Sequence, residues 1–207
     1  MLDWTIKGGP VMIPILLCSI LAFAIIIERF IYLQRAKIDT KKFMEDISAS
    51  LKRNRIMEAI DMCEQTPGPI ANVLKAGILR HDRTRHEIRE AIEDAGLHEI
   101  PRLEKNIGLL ATIAHISPLL GLLGTVTGMV KAFQIVQEKS TALNPVSPGD
   151  LAGGIWEALI TTVVGLIVAI PTLAAYNYFV NRMNNFILEI EMSATDLINV
   201  LSEKRGE

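Results

Sequence analysis

Charge is missing from three long stretches of this sequence. Val11–Ile27 runs 17 residues without an Asp, Glu, Lys or Arg, and Ile107–Val130 contains none. The stretch from about Leu151 to Val180 contains one, Glu157. A cysteine framework is also missing. Cys18 lies in a hydrophobic block and Cys63 in a charged one, which argues against a disulfide between them. The net charge of −2 gives no electrostatic footprint for nucleic acid. No phosphate loop, nucleophile elbow or metal-ligand cluster occurs. An enzyme reading, or one that needs a metal or cofactor, has nothing to stand on. His81 and His86 stand five apart in a charged segment, which is weak ground for a metal. Internal repeats and low-complexity tracts are absent.

What is present is apolar and blocky. Half the residues are hydrophobic and the mean hydropathy is +0.32. Those residues fall in three blocks rather than spreading as a soluble core would spread them. Crossing a hydrocarbon core of about 30 Å takes about 20 helical residues, and each block is long enough. The first block has only Lys7 as a basic residue before it and no small-x-small site after it, so it reads as a retained span and not a signal peptide. It tapers into an amphipathic end at Glu28 and Arg29. The fold class is therefore all-α: a polytopic membrane protein with three transmembrane helices and a charged helical domain.

Basic residues orient it. Residues 34–106 carry 14 basic and 13 acidic side chains, and Arg35, Lys37, Lys41, Lys42, Arg102 and Lys105 crowd the flanking spans. The loop after the second span has Lys139, with Lys131 just inside. The positive-inside bias places the N-terminus outside, residues 34–106 in the cytoplasm, the next loop outside and the tail inside. The expected divisions are 1–33 for the outer N-terminus and first span, 34–106 for the helical cytoplasmic domain, and 107–136 for the second span. An outer loop at 137–150, the third span at 151–180 and a cytoplasmic C-terminal helix at 181–207 complete the chain.

Local signals refine this plan. Thr84-Arg-His-Glu87 is a capping box opening a helix that leads toward the second span, almost continuous with it and bent at Pro101. Gln65–Pro69 (QTPGP) breaks two shorter helices, and Asn54 is a candidate cap for the helix starting at Arg55. That helix places Ile56, Ala59, Ile60 and Cys63 at apolar spacing. Ser147–Asp150 is a second capping-box candidate, with Pro148 at the first helical position. The tail from Phe186 keeps a helical period and continues the third span.

The second and third spans are rich in small residues. Gly121, Gly124, Thr125 and Gly128 crowd one stretch, with Gly124 and Gly128 a GxxxG pair. Thr161, Gly165 and Ala169 recur every four residues. Such stripes let helices approach closely in lipid and argue that both spans face protein. Glu157 and Thr161 share a helix face, while Thr162 is offset by about 140° at 100° per residue. Two roles stand open for Glu157: binding a neighbouring helix end, or lining an ion path. A threonine in a span commonly bonds its own backbone, and that ordinary role applies to Thr161. His115 is either a relay or a histidine bonding a neighbour near the membrane boundary. Pro118 and Pro171 are expected to bend their helices. A proton path across the bilayer needs a titratable relay. The middles of these spans hold no aspartate or lysine, so a partner must supply the carrier.

The stretches SPLLGLLGTVTGMVKAF (Ser117–Phe133) and GIWEALITTVVGLIVAIPTLAAYNYF (Gly154–Phe179) resemble the MotA/TolQ/ExbB proton-channel family, in its ExbB/TolQ branch. The resemblance covers the whole chain and agrees with the topology drawn from charge. It implies a ring, a homopentamer, whose second and third spans enclose single-span helices of a partner like ExbD or TolR. It implies that the proton motive force drives protonation of a partner aspartate. The resulting movement energises a TonB- or TolA-like protein in the inner membrane of a Gram-negative bacterium. It places the hydroxyls facing that aspartate at Thr125 and Thr162, and the family's glutamate at Glu157. His115 is outside the family pattern. Two rivals remain. A flagellar-type stator has four spans, one more than this chain. A structural scaffold would use the small-residue spans only to oligomerise, without conducting ions.

Overall fold

The computed structural model describes residues 8–139 and 147–203. Seven helices follow in order: α1 (Met12–Ala36), α2 (Thr40–Lys52), α3 (Ile56–Gln65), α4 (Pro69–Leu79), α5 (Arg85–Glu104), α6 (Ile107–Lys139) and α7 (Pro148–Glu203). No strand occurs among the described residues. Three helical stretches are long and apolar enough to cross a membrane. The chain divides into two units. The first joins residues 1–27 to 106–178, and the second joins 28–105 to 179–207.

In the first unit the small residues of α6 and α7 turn inward, and many large ones outward. Gly121, Gly124 and Gly128 of α6 and Ala158, Thr161 and Gly165 of α7 are buried. Leu119, Leu122, Val126, Phe133, Leu159, Ile167 and Ile170 are exposed. Such a face would be an aggregation liability in water, but lipid tails cover it without cost. Glycine and proline are tolerated in membrane helices because neighbouring helices and Ser/Thr side chains re-satisfy the backbone groups they free. α6 runs through Pro118 and α7 through Pro171 without interruption.

The second unit packs as a water-soluble domain packs. Ile47, Leu51, Ile70, Leu74, Ile78, Leu103 and Leu197 are each almost fully buried. Arg29 is 2% exposed, and its guanidinium closes the end of α5. Nη1 donates to the carbonyls of Arg102 at 3.1 Å and Leu103 at 3.5 Å, while Nη2 donates to Glu28 Oε1 at 2.7 Å. Carbonyls in a last helical turn lack intrahelical partners and carry the negative end of the dipole, so a cation is favoured there. Cys63 is buried on α3, and burial pushes its thiol up to about 11. Both cysteines are free.

The short helices depart from expectation in two places. Asn54 does not cap α3. It adopts φ 65 and donates its N–H to the Leu51 carbonyl at 3.0 Å, closing α2 instead. Asparagine tolerates this left-handed conformation, which commonly ends a helix. Arg55 takes the N-cap position of α3 without a side-chain bond. α5 and α6 are not continuous either. α5 stops at Glu104, and Asn106, at φ 62, breaks the chain before α6. The helix itself passes through Pro101. The break at Gln65–Pro69 forms as expected: Gly68 takes φ 123 and Pro69 occupies the first turn of α4. Of the apolar set on α3, Ala59 and Cys63 are buried while Ile56 and Ile60 are only half-buried. α7 starts at Pro148, but the Asp150 arm of its expected box lies outside the described side chains.

The capping box at α5 is complete. Glu87 accepts from the Thr84 N–H at 2.9 Å and from its hydroxyl at 2.8 Å, and returns its own N–H to Thr84 Oγ1 at 3.3 Å. Those bonds, the backbone one first, hold the Glu87 carboxyl below its ordinary value. The folded value lies below the unfolded one. The box therefore contributes above the ordinary carboxylate range and is lost as pH falls through the folded value. Hydrogen exchange at residues 85–88 should accelerate on acidification, and Thr84→Ala should remove that pH dependence while weakening the helix start by about 1 kcal/mol.

Candidate functional site

The site is set by how closely α6 and α7 approach. They form an antiparallel seam. A Cβ built at Gly128 would lie 2.7 Å from the Gly154 carbonyl oxygen, and one at Gly165 would lie 2.7 Å from the Ser117 carbonyl oxygen. At Gly121 the nearest atom would be the Thr162 Cα at 3.0 Å, and at Gly124 the Thr161 side chain already fills the space. A side chain at Gly121, Gly128 or Gly165 would press on backbone, and one at Gly124 would displace the Thr161 side chain. The four glycines singled out by sequence thus join two helices of one chain. Their close approach is spent within the subunit.

That approach brings two polar pairs together across the seam. Thr125 Oγ1 lies 3.4 Å from Thr162 Oγ1. Thr162 also donates to the Gly121 carbonyl at 3.0 Å, an interhelical bond, and Thr125 donates to the Leu122 carbonyl of its own helix at 2.7 Å. Both threonines are half-buried. Each hydroxyl keeps lone pairs free while its proton is committed to a carbonyl. The second pair is ionic: Lys131 Nζ stands 2.5 Å from Glu157 Oε1.

Thr161 and His115 do not join either pair. Thr161 is fully buried against Gly124 and donates to the Ala158 carbonyl at 2.9 Å. His115 is exposed, and its Nδ1 lies 2.7 Å from the Ala111 carbonyl one turn back. Sequence reasoning missed Lys131 as the partner of Glu157, noting it only as a flanking charge. It also missed Gly154, Ala158, Ser117 and Thr172, which extend the seam or satisfy themselves within it. Ser117 donates to Ile113 at 2.8 Å and Thr172 to Val168 at 2.7 Å. The period of four running back from Thr161 through Glu157 hid the neighbouring Ala158 and Gly154, which are the residues that touch α6. The described residues contain no group of three or more acidic, histidine or cysteine side chains placed to hold a metal.

This arrangement defines a multi-pass helical membrane protein that places paired hydroxyls and an ion pair between two adjoining apolar helices. The chain belongs to the MotA/TolQ/ExbB proton channel family, whose model matches residues 65–192. It is 35% identical over 172 residues to the biopolymer transport protein ExbB-like 3 of Synechocystis, covering 83% of this chain and 81% of that one. It is 32% identical to the Tol-Pal system protein TolQ of Haemophilus influenzae, over 80% of this chain and 76% of the relative. It is 31% identical to the biopolymer transport protein ExbB of Salmonella typhimurium, over 85% and 74%. These relatives place it in the ExbB/TolQ branch.

The seam makes a direct prediction. Gly128→Ala puts a methyl against the Gly154 carbonyl and should destabilise the subunit by about 1–3 kcal/mol, as overpacking does. Gly153→Ala meets nothing within 4 Å and should be neutral or slightly stabilising. Thermal melts of the purified protein in mild detergent compare the two.

Proposed function

We propose that this chain is the proton-channel ring subunit of an inner-membrane motor that couples the proton motive force to a TonB- or TolA-like protein. The ring is a homopentamer with its N-terminus periplasmic and its tail cytoplasmic. Its second and third spans enclose a single-span partner resembling ExbD or TolR, whose carboxylate carries the proton. Membership in a proton channel family supports this reading, and so do the names of the ExbB and TolQ relatives. The observation that carries it is the Thr125–Thr162 hydroxyl pair, held 3.4 Å apart inside the spans. A hydroxyl can accept from a carboxylic acid and, by rotating, donate to a carboxylate, without a charge of its own. The pair thus suits a proton that arrives on another chain. Glu157 lines the same path near its outer end. A pure scaffold loses its main support, because the small-residue stripes are occupied within one subunit.

Thr125→Val or Thr162→Val keeps side-chain shape and removes donor and acceptor. Either should leave expression and oligomer size intact yet lower proton-driven work by roughly a hundredfold, the scale of a lost proton-transfer group. Thr162→Ser should retain much of the activity. Thr161→Val, which loses only bonds to its own helix, is the control and should be mild. A growth or transport assay dependent on the complex reads the effect, and equal activity for Thr162→Val and the unmutated protein would refute the assignment. Native mass spectrometry should find five copies, and a stable monomer would refute the ring.

A further inference from the structure

The glycines of the spans are consumed between α6 and α7 of one subunit, so a ring of copies needs other surfaces to hold it. The charged unit offers one. Between α2 and the last turns of α7 runs a groove of about 990 Å³. Met44, Met192 and Val200 line it with apolar surface, and Met192 is 53% exposed. Methionine adapts its shape to whatever packs on it. Ser193 lines the groove too. It is only 3% exposed, yet its hydroxyl bonds no described group. Buried polar groups are normally paired, so this hydroxyl points to a polar group entering from outside.

The rim of the groove is acidic. Asp39, Glu45, Glu189, Asp196 and Glu203 stand there against Lys41 and Lys52. Thr40 donates to Glu189 at 2.7 Å, and Asp39 caps α2. Glu45, Asp196 and Glu203 join no ion pair among the described residues.

The opposite excess lies on α5. Its first turns expose Arg85, His86 and Arg89, with Glu90 and Glu93 beyond them, around a shallow concavity of about 650 Å³. Arg85 and Arg89 join no ion pair among the described residues either. Steps of four along the helix carry Arg89 through Glu93 to Leu97, which is 71% exposed. One face of α5 thus presents arginines followed by a bare leucine, and the groove presents acids around methionines. The two surfaces meet at Asn199 of α7, which lines the groove and accepts from Arg85 Nη2 at 3.1 Å. Two different surfaces that complement each other make a head-to-tail contact, and such contacts close into a ring when the rotation allows.

We propose that the groove between α2 and α7 seats α5 of a second copy of this chain, with Arg85 and Arg89 on its acidic rim and Leu97 over its methionines. This rests on the ring reading above and names a contact that closes the ring.

The experiment uses the full chain in native membranes, in a Cys18→Ala/Cys63→Ala background. Two differently tagged chains are co-expressed, one with Arg89→Cys and the other with Asp196→Cys, and treated with a short bismaleimide. Unlike chains should be joined roughly tenfold more than when Glu58→Cys replaces Arg89→Cys, because sites held together react at a raised effective concentration. In a second arm, Arg85→Glu/Arg89→Glu and Asp196→Lys/Glu203→Lys should each lower the pentamer fraction by roughly fivefold, since like charges then face each other. The combined variant should recover most of it. Native mass spectrometry reads the copy number throughout. A pentamer whose unlike chains stay unlinked would overturn this contact and leave the ring standing, whereas a monomer would overturn both. Two Arg89→Cys chains linked as strongly as unlike ones would show a symmetric contact and overturn the head-to-tail one. A combined variant no better than its parents would overturn the charge pairing and the proposal with it.

Discussion

The backbones of α6 and α7 touch, and the membrane half of the protein follows from that. Gly128 meets the Gly154 carbonyl, and Gly165 meets that of Ser117. With only small side chains between them, such as those of Ala132, Ala158 and Thr161, the helices have one register available. That register sets Thr125 opposite Thr162 and Lys131 opposite Glu157. Around the glycines it also turns Leu122, Val126, Leu159 and Leu166 outward. In lipid, close packing and interhelical hydrogen bonds are what association has to work with. Here both operate: the packing is backbone on backbone, and Thr162 supplies the hydrogen bond through the Gly121 carbonyl.

The two units handle their buried polar groups differently. In the spans, Ser117, Thr161 and Thr172 each satisfy a hydroxyl on their own helix, so none depends on a neighbour for pairing. In the charged unit, Arg29 reaches across more than 70 residues to the last carbonyls of α5 through Nη1, while its buried Nε has no hydrogen-bond partner. A lysine would not replace it easily, because a guanidinium presents several donors in a fixed fork and can serve two carbonyls and a carboxylate together. The guanidinium also sits 4.8 Å over the Tyr32 ring. One buried arginine therefore ties a helix end, an acid and an aromatic ring.

Much of this was legible in the sequence because it is written locally. Uncharged runs announce spans through length alone. The capping box at Thr84 announces a helix start through residues three apart. The glycines announce close contact through their spacing, although spacing does not tell whether the contact lies within one chain or between two. What was not legible depends on tertiary register. Lys131 and Glu157 are 26 residues apart on different helices, and nothing local links them. A clue existed, since Lys131 follows Gly124 by seven residues and so shares its face. Asn54 was misplaced because the same residue type favours a helix start by its side chain and a helix end by its backbone. His115 looked eligible for proton chemistry by type, but it lies on an exposed face and bonds only one turn back.

The seam also separates the two units by temperature. Apolar burial in water owes its strength near room temperature to solvent entropy, weakens on cooling and carries a large heat-capacity change. The core around Ile47, Leu74, Ile78 and Leu197 is of that kind. The glycine seam displaces lipid tails and not water, so its formation involves little change in hydration and little heat capacity. Its strength stays nearly level as the temperature falls, while that of the charged unit declines. Cold therefore loosens the charged helical unit first and leaves the threonine pair in register.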